Sequence, residues 1–182
     1  MLGTDAEWQR LEPVLVALKR DHPNAILSVD TFHAEVARRA LVEGADIIND
    51  VSGGSADPDM WNVVAQARAP YVLMHMQGTP ATMQDNPTYD DVVHDVLSHL
   101  QRRVHAAYQA GVTDVIADVG FGFGKTVRHN YALLDALDQF QELQCPVLAG
   151  VSRKSMIQRV LETDSQHALN GTTALHAWAS VS

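Results

Sequence analysis

The chain has 182 residues, of which 46% are hydrophobic and 19% charged, and its formal net charge is −9. This composition is typical of a soluble globular protein with one sizeable core, and it excludes a disordered chain. The single cysteine, Cys145, excludes a disulfide framework and a thiolate metal cluster.

No apolar run reaches the ~18 residues that a membrane span needs, and residues 1–10 lack the apolar segment of a secretion signal. We therefore expect a cytoplasmic protein with no membrane partner. The acidic balance without a long basic run makes nucleic acid a poor candidate partner.

Helical patterns and short apolar strands alternate along the chain. Thr4 and Glu7 form a T-x-x-E pattern that predicts a capping box, and Pro13 should kink the first helix or delay its start. Asp57 and Pro58 predict an N-cap and first position of a helix that runs to about residue 68. The predicted strands are 25–30, 46–49, 71–75, 115–118 and 147–151. The other predicted helices are 34–43, 89–110, one marked by Leu133, Leu134, Leu137 and Phe140, one beginning at 154–161, and one at 172–179.

These strands are apolar without clean alternation, as expected for a parallel sheet that is buried on both faces. Strands that alternate with helices predict βαβ units, and no linker divides the sequence. We therefore expect an α/β fold and a single domain over residues 1–182. The length falls short of the ~200–250 residues of a closed eight-unit barrel.

A polar residue follows the apolar part of each predicted strand. These residues are Asp30 and Thr31, Asn49 and Asp50, His75, Asp118, and the segment 152–155. In parallel α/β folds the ligand lies outside the carboxyl ends of the strands, so the pattern predicts a binding site there. The alternative is that strand ends turn polar because they leave the core or cap the next helix.

The glycine-rich segment 120–126 is not a Walker A loop, because Val119 stands where that motif needs its first glycine. It brings two aromatic rings, Phe121 and Phe123, close to Asp118. Either one ring packs in the core while the other covers a planar ligand, or both rings are core anchors.

The segment 152–155 combines two hydroxyls and two cations at a predicted helix start, which is the chemistry of a carboxylate or phosphate site. Lys154 is alternatively a Schiff-base lysine. The nine histidines show no metal-ligand spacing, and His94 and His99 are predicted to lie in solvent.

Five motifs occur in one order along the chain: SVDT at 28–31, IIND at 47–50, LMHMQG at 73–78, DVGFGFGK at 118–125 and SRKSMI at 152–157. Together they resemble the dihydropteroate synthase family, and the resemblance covers essentially the whole chain. It implies a partial TIM-type (β/α)8 barrel, with about strands three to seven present and the first two strands and the last strand missing.

The resemblance also implies an activity: joining p-aminobenzoate to a dihydropterin pyrophosphate with release of pyrophosphate. Asp30 and Lys154 would be catalytic. Asp30, Asn49, Met74, Asp118 and Lys154 would bind the pterin, and Phe123, Arg153 and Ser155 would bind p-aminobenzoate. The family uses Mg²⁺ held by a loop that this chain lacks, so no metal ligand is expected here, and it usually forms homodimers.

We expect the 182-residue chain by itself to have little or no synthase activity, because those loops are missing. Two other functions fit the motifs: a non-catalytic pterin-binding paralogue and a pterin-dependent methyltransferase domain. The segment 152–155 suits a carboxylate-bearing aromatic amine and argues for the synthase.

Overall fold

The computed structural model of the chain describes residues 2–78, 82–83 and 86–181. Its strands are β1 (Ser28–Asp30), β2 (Ile47–Asp50), β3 (Tyr71–Met74), β4 (Val115–Asp118) and β5 (Val147–Leu148). Its helices are α1 (Thr4–Asp21), α2 (Ala34–Val42), α3 (Met60–Ala67), α4 (Val92–Gln109), α5 (Val127–Asp135), a 3-10 helix (Leu137–Leu143), α6 (Ser155–Val160) and α7 (Leu169–Ala179). The predicted alternation of strands and helices is confirmed.

The strands are hydrogen-bonded in the order β1-β2-β3-β4-β5. The β1/β2, β2/β3 and β4/β5 pairs are parallel. Asp30 is the register partner of Asn49, so two of the predicted polar strand ends are neighbours. This arrangement confirms the predicted α/β fold with parallel strands.

The described chain divides into two compact units. Unit 1 comprises Met1–Leu73 and Arg103–Ile116, and unit 2 comprises Met74–Arg102 and Ala117–Ser182. The core of unit 1 includes Val36, Ile48, Met60 and Tyr71, and that of unit 2 includes Leu100, Phe121, Leu133, Phe140 and Met156. The single domain over residues 1–182 stays a prediction. None of the helices in the described ranges has both the length and the apolar character that crossing a bilayer requires.

The predicted capping box at Thr4 is wrong. Gly3 is the N-cap of α1 and, being glycine, has no side chain to accept from the first turn, while Thr4 is already the first helical residue. The Glu7 carboxylate instead accepts a hydrogen bond, at 2.5 Å, from the hydroxyl of Thr31, the residue just after β1. Helix α1 begins at Thr4 and contains Pro13, so this proline does not delay its start.

The predicted N-cap at Asp57 is also wrong, since α3 begins at Met60 with Asp59 before it. The carboxylate of Asp57 accepts hydrogen bonds from the backbone N–H groups of Asp59 and of Ala34, the first residue of α2. Asp57 therefore does cap a helix, as predicted of its side chain, but the free N–H group that it satisfies belongs to α2 and not to α3.

Other element boundaries shift by a few residues. The first and last strands are shorter than predicted, at 28–30 and 147–148. The helix predicted from Leu133 to Phe140 is two elements, α5 and the 3-10 helix, which meet at Ala136. Helix ends fray and tighten in this way where the hydrogen bonding changes from one type to the other.

Candidate functional site

In unit 1, Asp30 and Asn49 occupy the ends of adjacent strands. Asp30 keeps contact with solvent and Asn49 is partly exposed. Desolvation by the surrounding protein raises the pKa of the Asp30 carboxyl, and the negative charges of Asp50 and Glu7 raise it further. A hydrogen bond from the Asn49 amide lowers this pKa. The pair presents a carboxylate and an amide side by side, which are complementary to N–H donors on a ring.

Asp50, the next residue along β2, has a different environment. It is completely buried and accepts hydrogen bonds from the backbone N–H groups of Ser52 and Gly54, both at 2.8 Å, and from the Tyr71 hydroxyl at 2.7 Å. Successive strand residues point to opposite faces, so Asn49 and Asp50 separate. Asp50 therefore organises the loop after β2.

In unit 2, Asp118 is the centre of the predicted residues. It is buried, and its carboxylate accepts the Gly120 N–H at 2.7 Å. Burial raises the pKa of this carboxyl, whereas that hydrogen bond and the charges of Lys154 and Lys125 lower it. A desolvated carboxylate with one oxygen already fixed is preorganised to accept hydrogen bonds from a ligand.

Lys154 and Phe123 meet beside this carboxylate. The ammonium of Lys154 donates to the Phe121 carbonyl and lies 5.0 Å from the centre of the Phe123 ring. Burial lowers the pKa of Lys154, and the charge of Asp118 opposes the shift. Phe121 is buried and Phe123 partly exposed, as expected if one ring packs in the core and the other is left for a ligand.

Met74 completes this group at the end of β3. Its side chain is buried and packs against Gly120, since a Cβ placed on that glycine would lie 3.2 Å from the Met74 Cγ. The contact joins the end of β3 to the glycine-rich loop.

Arg153 and Ser155 are placed differently. Arg153 has a positive φ of 50°, and its guanidinium donates to the Ser165 and Gln166 carbonyls at 3.1 and 3.4 Å. Ser155 is exposed and opens α6, with Lys154 as the N-cap. The two cations of segment 152–155 thus bond to different parts of unit 2, and their predicted joint role at a carboxylate stays a prediction.

The family model for pterin binding enzymes matches residues 1–181 of the chain. This chain belongs to the pterin binding enzyme family. The dihydropteroate synthase of Haemophilus influenzae is 43% identical over 170 residues, which are 92% of this chain and 61% of that protein. The dihydropteroate synthase of Escherichia coli K12 is 39% identical over 175 residues, which are 95% of this chain and again 61% of that protein.

Solved structures of this pterin-binding family give the same result. Yersinia pestis dihydropteroate synthase, solved with a sulfonamide drug complex, has a TM-score of 0.93 at 35% identity over 98% of this chain and 65% of that one. The Thermus thermophilus enzyme in complex with 4-aminobenzoate has a TM-score of 0.93 at 40% identity over 99% and 70%. The chain thus spans about 61% of the curated relatives it matches, which agrees with the expected partial barrel.

Lys125 is a residue of the site region to which the sequence patterns assign no role. It belongs to the excluded Walker A pattern and to the motif at 118–125, neither of which gives it a role, but its ammonium is buried and lies 2.9 Å from Nδ1 of His75. The sequence signal that could have indicated a role for it is its place directly after three glycines at alternate positions, 120, 122 and 124. His99 differs as well: it is partly buried, and its ring packs edge-on at 4.8 Å against that of His75, whereas His94 is exposed as predicted.

The Mg²⁺ that the resemblance to dihydropteroate synthase implies stays a prediction. Within the described ranges, no group of three or more His, Cys, Asp or Glu side chains is arranged to hold a metal ion. A cavity of about 560 Å³ in unit 2 is lined by His75, by residues that follow it and by residues of α4, and His75 is the one predicted strand-end residue in this lining.

Proposed function

We propose that this chain carries the pterin and p-aminobenzoate sites of a dihydropteroate synthase of folate biosynthesis. The observation that carries the proposal is the grouping of Asp118, Lys154 and Phe123 in unit 2. The dihydropteroate synthases matched by the chain support it, as does a Thermus thermophilus structure solved with 6HMPPP that is 38% identical with a TM-score of 0.88.

For the pterin we propose hydrogen bonds to Asp118 and Asn49. A pterin ring offers amino and ring N–H donors, and a carboxylate is the strongest acceptor for them. Met74 supplies an apolar wall, and Asp30 is proposed as a further pterin-binding carboxylate. The raised pKa of Asp118 fits a site in which a ligand's donors complete the solvation of the buried charge.

For p-aminobenzoate we propose that Phe123 flanks the aromatic ring while Ser155 and Arg153 interact with the carboxylate. Lys154 lies against Phe123, so its aliphatic chain and its charge order both substrates. Partial exposure of the Phe123 ring leaves apolar surface for a second ring.

The reaction forms a bond between the amine nitrogen of p-aminobenzoate and the methylene carbon of the dihydropterin. The carbon–oxygen bond to pyrophosphate breaks, its electron pair leaves with pyrophosphate, and the amine loses a proton. Positive charge grows on the methylene carbon and the pterin as that bond breaks, and the carboxylate of Asp30 would stabilise it. A family-like homodimer and a cytoplasmic location belong to the same proposal.

The test is a calorimetric titration of the 182-residue chain with 6-hydroxymethyl-7,8-dihydropterin pyrophosphate. We expect binding that Asp118→Asn weakens by roughly 10–100-fold, since a hydrogen bond to a charged group is worth ~1.5–3 kcal/mol. The matched control is Asp114→Asn, which changes an exposed aspartate four residues earlier and should leave the affinity unchanged. No binding by the unaltered chain, or equal affinities for the two variants, contradicts the proposal.

A further inference from the structure

Lys125 is one of the most deeply buried charged side chains of the described chain, with 3% of its surface exposed. Its Nζ lies 2.9 Å from Nδ1 of His75, 3.0 Å from the Gly120 carbonyl oxygen and 3.0 Å from the Phe123 carbonyl oxygen. The His75 carbonyl oxygen is a fourth, longer contact at 3.4 Å. An ammonium has three N–H donors, and the three shortest contacts match them. Such pairing offsets the large cost of removing a charge from water.

The acceptors belong to two segments that are distant in sequence. His75 directly follows β3, and Gly120 and Phe123 lie in the glycine-rich loop 120–126; Lys125 itself is 50 residues after His75. The three loop glycines at 120, 122 and 124 all have positive φ, at 70°, 84° and 61°. Glycine-rich backbone has many accessible conformations, so this loop needs an external constraint to hold one of them.

The groups proposed to meet the substrates depend on that loop. Its Gly120 N–H fixes one oxygen of Asp118, its Phe121 carbonyl accepts from Lys154, and its Phe123 ring lies beside the same ammonium. Lys125 holds the carbonyl oxygens of Gly120 and Phe123 themselves.

We propose that Lys125, as an ammonium, is a positioning residue that fixes the glycine-rich loop against His75 and so places Phe123 and the Gly120 N–H for ligand binding. The choice of p-aminobenzoate as the ligand that tests this role rests on the proposed function, whereas the contact between Lys125 and His75 does not.

The charge states agree with this arrangement. Burial lowers the pKa of Lys125 to about 7, with the charge of Asp118 raising it and that of Lys154 lowering it. Burial, together with the charges of Lys125 and His99, lowers the pKa of His75 to about 2. At pH 6 the amine is therefore charged and the imidazole neutral, so that Nδ1 of His75 accepts and Nε2 carries the proton.

The first test is made on the unaltered chain, so it does not depend on whether a Lys125 variant folds. Long-range ¹H–¹⁵N correlation spectra of the unaltered chain at pH 6 report the tautomer of each histidine, and loss of one signal set in His75→Gln assigns His75. We expect the tautomer protonated at Nε2. A His75 protonated at Nδ1 would place a neutral amine at Lys125 and overturn the proposal.

The second test measures p-aminobenzoate affinity by calorimetry, with pterin pyrophosphate present, under conditions where circular dichroism shows each variant folded. We expect Lys125→Met to weaken binding at least tenfold. Lys19→Met removes a lysine whose ion pair with Asp46 lies in unit 1, and should change the affinity less than twofold. Leu134→Ala removes a buried side chain of α5, outside the loop in sequence, and should destabilise the core of unit 2 while retaining affinity.

Unchanged affinity in Lys125→Met, or an equal loss in Leu134→Ala, overturns the proposal, because general destabilisation would then explain the effect. If Lys125→Met does not fold, the tautomer of His75 still decides. An unaltered chain that binds neither ligand but shows His75 protonated at Nε2 refutes the proposed function and leaves the arrangement of Lys125 supported.

Discussion

The Tyr71 hydroxyl donates a hydrogen bond to the Asp50 carboxylate at 2.7 Å, and neither side chain has any exposed surface. Burial and the Asp50 charge raise the pKa of Tyr71 far above its usual range, so the hydroxyl remains a donor. The contact joins the end of β2 to the start of β3 inside unit 1.

Tyr71→Phe should therefore lower the free energy of unfolding by about 2 kcal/mol, since it removes one donor from a buried carboxylate and leaves two backbone N–H groups. Urea unfolding followed by circular dichroism measures this. In Tyr131→Phe the lost hydroxyl is partly exposed and lies 3.5 Å from its acceptor, so that variant should stay within ~0.5 kcal/mol of the unaltered chain. Equal stabilities would show that Asp50 does not need the tyrosine.

Two glycines of the same loop should tolerate alanine very differently. At Gly120, with φ of 70°, an added Cβ would collide with the backbone oxygen of His75. At Gly122, with φ of 84°, the nearest neighbour of an added Cβ would be Cδ of Lys154 at 3.6 Å, an ordinary contact. Gly122→Ala should cost about 1–2 kcal/mol from backbone strain alone.

Gly120→Ala adds a collision with backbone to that strain, and we expect a loss above ~3 kcal/mol or failure to fold. Thermal unfolding of the two variants under identical conditions makes the comparison. A Gly120→Ala protein as stable as Gly122→Ala would mean that the loop moves away from His75 at little cost.

The two aromatic rings of the loop should divide stability and binding between them. Phe121 is fully buried, so Phe121→Ala should cost about 3–5 kcal/mol of unfolding free energy. Phe123 is partly exposed, so Phe123→Ala should cost less than ~1.5 kcal/mol while it weakens p-aminobenzoate binding. Denaturant unfolding and calorimetric titration of both variants test this division. The reverse pattern would place Phe123 in the core.

The neutral, buried His75 should make unfolding depend on pH. Its pKa is about 2 in the folded chain and ~6.5 when unfolded, so below pH 6.5 the unfolded state binds the extra proton. Stability from this group is complete above pH 6.5 and falls as the pH is lowered, by about 1.4 kcal/mol per pH unit.

His75→Gln removes this proton uptake and keeps an acceptor for Lys125. The difference in unfolding free energy between the unaltered chain and His75→Gln should therefore shift with that slope between pH 6 and pH 4.5. Other groups that titrate in this range are common to both proteins and cancel to first approximation. A difference that is independent of pH would contradict a neutral His75.

The sequence by itself determined the order of strands and helices, their α/β class and the polar residues at the strand ends. These features follow from local rules, because apolar runs, glycines and capping residues act over a few neighbouring residues. The exact agreement of 115–118 with β4 shows how far such rules reach. The five motifs also identified the family.

Only the tertiary structure decided which partner each polar side chain has. Asp57 satisfies an N–H of α2, Glu7 bonds to Thr31, and Lys125 bonds to His75, at sequence separations of 23, 24 and 50 residues. A polar side chain takes whichever donor or acceptor folding brings within hydrogen-bond distance, and no local pattern encodes that choice. The sequence thus marked the glycine-rich loop, and the fold assigned to Lys125 the contacts that hold it.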